Sequence, residues 1–132
     1  MKRLLFRILS LSSLIFLSSC GSSDNQFELI GNADVSDGTM IYVLQADQNN
    51  QPYIKDSTSV QSNSFKFKGI SSTPQISYIQ VEGVNGYVLA ILENGDIKAD
   101  IFKDSISKSR VYGTKSNDDF IKYKLETKSL VD

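Results

Sequence analysis

The chain has 132 residues, with 14 Lys and Arg against 15 Asp and Glu, one cysteine, and neither histidine nor tryptophan. Without histidine no Ser-His-Asp or Cys-His nucleophile system can be assembled, and the usual Cys/His zinc sites lack their ligands. One cysteine excludes a dithiol redox centre, and the slightly acidic balance leaves no basic stripe for nucleic acid.

The N-terminus carries Lys2, Arg3 and Arg7 ahead of a mostly apolar run over 8–17. At about 1.5 Å per residue that run is far shorter than the roughly 30 Å hydrocarbon core, so it reads as a signal peptide. Leu17-Ser18-Ser19-Cys20 then reads as a lipobox, which predicts cleavage before Cys20 and a diacylglyceryl group on its sulfur. The expected organisation is a signal peptide over 1–19 and a lipidated Cys20 with a polar tether over 20–26. A β domain over 27–115 and a C-terminal helix and tail over 116–132 follow. Cleavage removes three basic residues and no acidic one, which leaves a formal charge of −4. Lipid on Cys20 blocks the only thiol, and the remaining chain suits one domain with a single core.

From Phe27 onward the sequence breaks into short apolar or alternating runs separated by turn residues. Strands are expected over 27–31, 40–46, 53–60, 64–69, 76–82, 87–92, 97–102 and 109–112. Asp37-Gly38, Asn85-Gly86 and Asn94-Gly95 are pairs that accept positive φ and signal hairpins. The fold class this implies is all-β: an antiparallel β-sandwich or partly open barrel of about eight strands, with one C-terminal helix. Phe65-Lys66-Phe67-Lys68 alternates, so the rings face the core and the ammonium groups face water. The runs over 40–44 and 87–92 are apolar on both parities and read as central strands. The polar run over 53–60 reads as an edge.

Gly113-Thr114-Lys115-Ser116-Asn117-Asp118-Asp119 closes the β pattern and opens the helix. Ser116 is the expected N-cap, with Asp118 and Asp119 in the first turn where the helix dipole favours negative charge. Asp119 makes a weak capping box with Ser116. The helix is expected to fade over 126–129.

The residue types left for chemistry are carboxylates, Lys, Tyr and Ser. No catalytic residue, metal site or cofactor is expected. The loop at Asp47 superficially resembles a calcium loop, but Pro52 falls where an EF-hand needs glycine and Thr58 where it needs glutamate. Leu92-Glu93-Asn94-Gly95-Asp96-Ile97 is accounted for as a tight turn, and its flanking carboxylates Glu93 and Asp96 are candidate partner contacts. Six tyrosines suit strands and cores. Tyr78 differs, because Ile79 and Val81 take the inward parity and leave it outside beside Gln80 and Glu82. It is the third candidate contact. Lipidation of Cys20 completes the set of site residues.

The order of motifs resembles a known arrangement. Asp56-Ser57-Thr58-Ser59-Val60 precedes Asn63-Ser64-Phe65-Lys66-Phe67-Lys68-Gly69. Pro74 and Tyr78 come next, then Leu92-Glu93-Asn94-Gly95-Asp96-Ile97, then Val111-Tyr112-Gly113 and Ser116-Asn117-Asp118. This is similar to the uncharacterised N-terminal β domain that precedes the thioredoxin-like domain in envelope thiol-disulfide oxidoreductase lipoproteins of the TlpA/ResA type. The resemblance runs from Phe27 to Tyr123. It implies the β fold, lipid anchoring and association with a thioredoxin-like or other envelope protein. The family's Cys-x-x-Cys motif is absent from this sequence, so its redox activity does not carry over. The expected function is a non-catalytic docking or positioning module, held by lipid at the bacterial envelope. The outer membrane, facing the periplasm, is the expected site, with the cell surface as the other destination. The two alternatives are the truncated N-terminal part of such an oxidoreductase and a small-molecule or glycan-binding lipoprotein.

Overall fold

The computed structural model describes residues 24–131. Cys20, the signal peptide and most of the tether lie outside them. Eight strands appear in chain order: β1 (Gln26–Ala33), β2 (Met40–Ala46), β3 (Pro52–Ser59), β4 (Ser64–Ile70), β5 (Gln75–Val81), β6 (Val88–Leu92), β7 (Gly95–Ile101) and β8 (Arg110–Tyr112). A short 3-10 turn, Ile106–Lys108, precedes β8, and α1 (Lys115–Val131) follows it. The strands form two four-stranded sheets: sheet A in the order β4-β1-β7-β8, and sheet B in the order β3-β2-β5-β6. The expected sandwich is therefore present, with one departure from antiparallel order: β1 and β7 run parallel, Phe27 opposite Gly95 through Ala33 opposite Ile101.

Alternation of side chains builds the core between the sheets. Leu29, Ile97 and Ala99 from sheet A meet Ile41, Val43, Ile79 and Leu92 from sheet B, all almost fully buried. Each large aliphatic buried this way contributes about 1.5–3 kcal/mol relative to exposure. Phe65 and Phe67 point inward as their alternation requires, with ring centroids 6.0 Å apart. Their sheet neighbours make room for them. Phe65 stands opposite Gly31, where an added Cβ would lie 2.0 Å from the ring. Phe27 covers Gly69 in the same way.

Two of the three expected hairpin turns are crossings between sheets. Asp37-Gly38 lies between β1 of sheet A and β2 of sheet B, and Asn94-Gly95 carries the chain from β6 of sheet B to β7 of sheet A. Only Asn85-Gly86 joins neighbouring antiparallel strands, β5 and β6. Positive φ at the glycine supports a tight reversal either way; the dipeptide does not specify which sheet receives the next strand. The loop at Asp47 is a local turn: its Oδ1 accepts the backbone N–H groups of Asn49 and Gln51.

Strand β3 is an edge, as its polar sequence implies, and β2 is central. Strand β6, expected to be central, is an edge. Its open edge is closed by α1, whose Asn117 bonds the backbone of Ile91. The helix starts at Lys115, one residue before the expected cap, and runs to Val131 without fading. Asp118, not Asp119, reaches back, accepting the Gly113 amide at 2.9 Å, while Asp119 pairs with Lys115. Gly113 has φ of +104°, and a Cβ there would sit 2.8 Å from the Asp96 carbonyl oxygen, so the turn into the helix requires glycine.

The strands run between two poles. β1 starts at the pole where the 93–94 turn lies, and this is the tether pole. Asn117 lies beside Ile91, whereas Phe120, Ile121 and Lys124 lie beside Val88 and Leu89. Helix α1 therefore climbs the β6–β8 side toward the far pole. Its second half leaves the sandwich, with Leu125, Leu130 and Val131 at 65, 85 and 87 % exposure.

Candidate docking face

The two outward sheet faces differ in chemistry. On sheet A the outward residues include Glu28, Lys66, Lys68, Lys98, Asp100 and Arg110. Glu28 bonds Lys68 at 2.9 Å and Lys66 at 3.3 Å. These ammonium groups, Lys68 foremost, hold its carboxyl below the ordinary value. Arg110 bonds Asp100 at 2.9 Å and lies over the Tyr112 ring. This face is a solvated charge lattice.

Sheet B presents apolar rows. Cross-strand register places Ile54, Leu44, Tyr78 and Leu89 side by side across β3, β2, β5 and β6. Ile76 stands opposite Ile91 in the next row toward the tether pole, and Tyr42 opposite Gln80 in the row on the other side, toward the far pole. Ile54, Ile76, Tyr78 and Tyr87 are 57, 61, 38 and 59 % exposed. Tyr78 and Tyr87 make an edge-to-face pair with centroids 6.3 Å apart. Glu82 follows β5 on the parity of Tyr78, and its Oε2 accepts the Met40 amide at 3.0 Å. Aromatic side chains without intervening lysine are the composition of an interface centre, and contiguous apolar surface of this kind marks interaction sites.

The three candidate contacts do not share a surface. Tyr78 occupies the middle of the sheet B face, with Gln80 and Glu82 on the same parity as expected. Asp96 lies on the sheet A face, opposite Glu28. Glu93 is turned inward to the helix: its carboxylate accepts the Ser116 amide and the Ser116 hydroxyl, each at 2.7 Å. Desolvation pushes the Glu93 carboxyl up, but the Ser116 and Thr114 hydroxyls and the Ser116 and Asn117 amides together bring it below its ordinary value. Glu93 thus supplies the α1 cap that a local Ser116 side chain was expected to supply. Only Tyr78 is both exposed and set in a contiguous surface.

Ile54, Ile76 and Leu89 belong to the face but escaped sequence reading. Ile54 sits in a run that is otherwise polar, and the signal for Ile76 was the same parity that exposed Tyr78. A hollow of about 450 Å³ is an open trough elsewhere, over Glu28, Lys68, Ile70 and Asp96 on sheet A. Among the described residues no group of three or more metal-ligating side chains comes together, and no helix is long and apolar enough to cross a membrane.

Beneath the face, the inner side of sheet B is pinned at the tether pole by buried Gln45. It donates to Ser77 Oγ at 2.9 Å and to Gln75 Oε1 at 3.2 Å, and accepts from Tyr53 and Lys55. Every polar atom of that side chain is used, so the network holds the sheet and offers nothing free to a ligand.

Comparison with known proteins is consistent with this architecture. No curated protein and no solved structure matches the chain. One family does, described as Domain of unknown function (DUF4369), over residues 27–120. That span covers seven of the eight strands in full, all of β1 but its first residue, and the start of α1 as far as Phe120. The chain belongs to the DUF4369 family.

Proposed function

We propose that this chain is a lipid-anchored lipoprotein of the bacterial envelope whose β domain is a non-catalytic docking module. The observation that carries the docking reading is the apolar outer face of sheet B, centred on Tyr78, whose rows Ile54-Leu44-Tyr78-Leu89 and Ile76-Ile91 carry no charge. Anchoring rests on Leu17-Ser18-Ser19-Cys20 and the basic, then apolar, segment before it. β1 begins at Gln26, so a tether of a few residues, at most about 3.6 Å each, holds the domain within roughly 20 Å of Cys20. Lipid then confines the docking face to one surface and raises its effective concentration toward partners held there. Association with a thioredoxin-like or other envelope protein is supported by the order of motifs that resembles the TlpA/ResA-type arrangement.

The test is affinity capture of the full-length protein from cross-linked, detergent-solubilised envelopes, for the wild type and for Tyr78→Ala. Loss of a centrally placed aromatic is expected to lower capture about tenfold, equivalent to about 1.4 kcal/mol. Thermal unfolding should move by only a few degrees, since Tyr78 is 38 % exposed. A large fall in Tm with unchanged capture would place Tyr78 in the structural core and remove the assignment. An intact mass lacking lipid on Cys20 would remove the anchoring.

A further inference from the structure

We infer that the occupant of the sheet B face is the same face of a second copy of this chain, paired about a two-fold axis that runs along the strands. This rests on the docking reading of that face and names its partner.

Three features point to self-pairing. The first is charge. A chain of negative net charge repels its copies, and the sheet A face would set carboxylates and ammonium groups against themselves. On sheet B the rows Ile54-Leu44-Tyr78-Leu89 and Ile76-Ile91 bear no charge, so two copies meet there without like-charge contact. The second is area. Taking about 200 Å² for a fully exposed side chain of this size, Ile54, Ile76, Tyr78 and Tyr87 at 57, 61, 38 and 59 % exposure offer roughly 430 Å². The half-buried Leu44, Leu89 and their neighbours raise this to roughly 600 Å² per copy, or about 1,200 Å² in total, where specific and stable interfaces begin. The third is geometry. Two twisted sheets stack face to face about 10 Å apart with strands near −30°, and sheet B presents a regular four-stranded face of this kind. A two-fold axis along the strands leaves both tether poles on the same side, so two copies anchored in one membrane can pair. It also closes, because each face is used once.

The test is cysteine cross-linking of the full-length protein in its own envelopes. Single cysteines replace Tyr78 and Gln80, near the middle of the face, and Lys98 on the sheet A face serves as control. Mild oxidation is followed by non-reducing electrophoresis and mass determination, with the wild type reporting any contribution from Cys20. Y78C or Q80C is expected to give a species of twice the chain mass, absent from K98C and from the wild type. Adding Ile76→Asp should reduce that species at least tenfold. Retention of the dimer species with Ile76→Asp overturns the inference, as does its absence from both sheet B variants. An adduct to a different protein at Y78C overturns the second copy while leaving the docking reading standing. No adduct of any kind, together with undiminished capture by Tyr78→Ala, sinks both.

Discussion

Asn117 offers the sharpest test of how α1 holds the sandwich. It is 1 % exposed, and its side chain acts as a surrogate strand for β6. Its Oδ1 accepts the Ile91 amide at 2.9 Å, and its Nδ2 donates to the Ile91 carbonyl at 2.8 Å and to Thr114 Oγ1 at 2.7 Å. Both ladder groups of Ile91 on the open side of an edge strand are thereby satisfied. Asn117→Leu keeps the size and removes all three bonds. Each buried backbone group left without a partner costs about 1–3 kcal/mol, so the loss should be about 3–5 kcal/mol. For a domain of this size that corresponds to on the order of 15–30 °C in Tm. Urea unfolding at unchanged m value would measure it, and amide exchange at Ile91 would show whether the edge has opened. A variant within about 1 kcal/mol of wild type, with Ile91 still protected, would refute the surrogate-strand account.

Gly31→Ala places a methyl 2.0 Å from the Phe65 ring, which is 2 % exposed and has nowhere to swing. It should cost about 1–3 kcal/mol by chemical denaturation, and Gly31→Ala with Phe65→Leu should recover part of the loss. Glu93 makes stability pH-dependent: its folded value is depressed, so its contribution is complete above the ordinary value of 4.5 and disappears as pH falls through the folded value. Glu93→Ala should therefore cost about 1.5–3 kcal/mol at pH 7, with the gap to wild type closing in acid. A gap that is the same at pH 7 and at strongly acidic pH would show that the carboxylate is not what anchors Ser116.

Legibility in the sequence followed from what each pattern physically records. Alternation in Phe65-Lys66-Phe67-Lys68 records one wet and one dry face, and it survived intact. The parity argument at Ile79 and Val81 correctly left Tyr78 outside. The apolar run in β6 suggested a central strand covered on both faces; the strand is an edge instead, its backbone closed by a helix and its outward apolar residues left on the sheet B face. Asn117 looked like any polar residue in a first helical turn; its role depends on Ile91, far away in the chain. Glu93 was read as a free carboxylate for the same reason, since Ser116 is remote in sequence. Asn94-Gly95 declares a reversal and says nothing of the sheet the chain enters. The parallel pairing of β1 with β7 has no local signature at all.

That pairing governs the order in which the molecule can be made. β1 is the first strand to leave the ribosome and lies in the interior of sheet A, where Phe27 needs both Gly69 and Gly95 beside it. Neither neighbour is at hand when β1 appears, and the second arrives only after five other strands. Closure of such distant contacts is slow, in the millisecond-to-second range typical of β topologies. A nascent chain interrupted before Ile101 holds one side of β1 as an unpaired apolar edge, open to any strand that meets it. The β domain is thus kept from locking until β7 has been made, so its order of synthesis holds the sandwich open through most of its own strands.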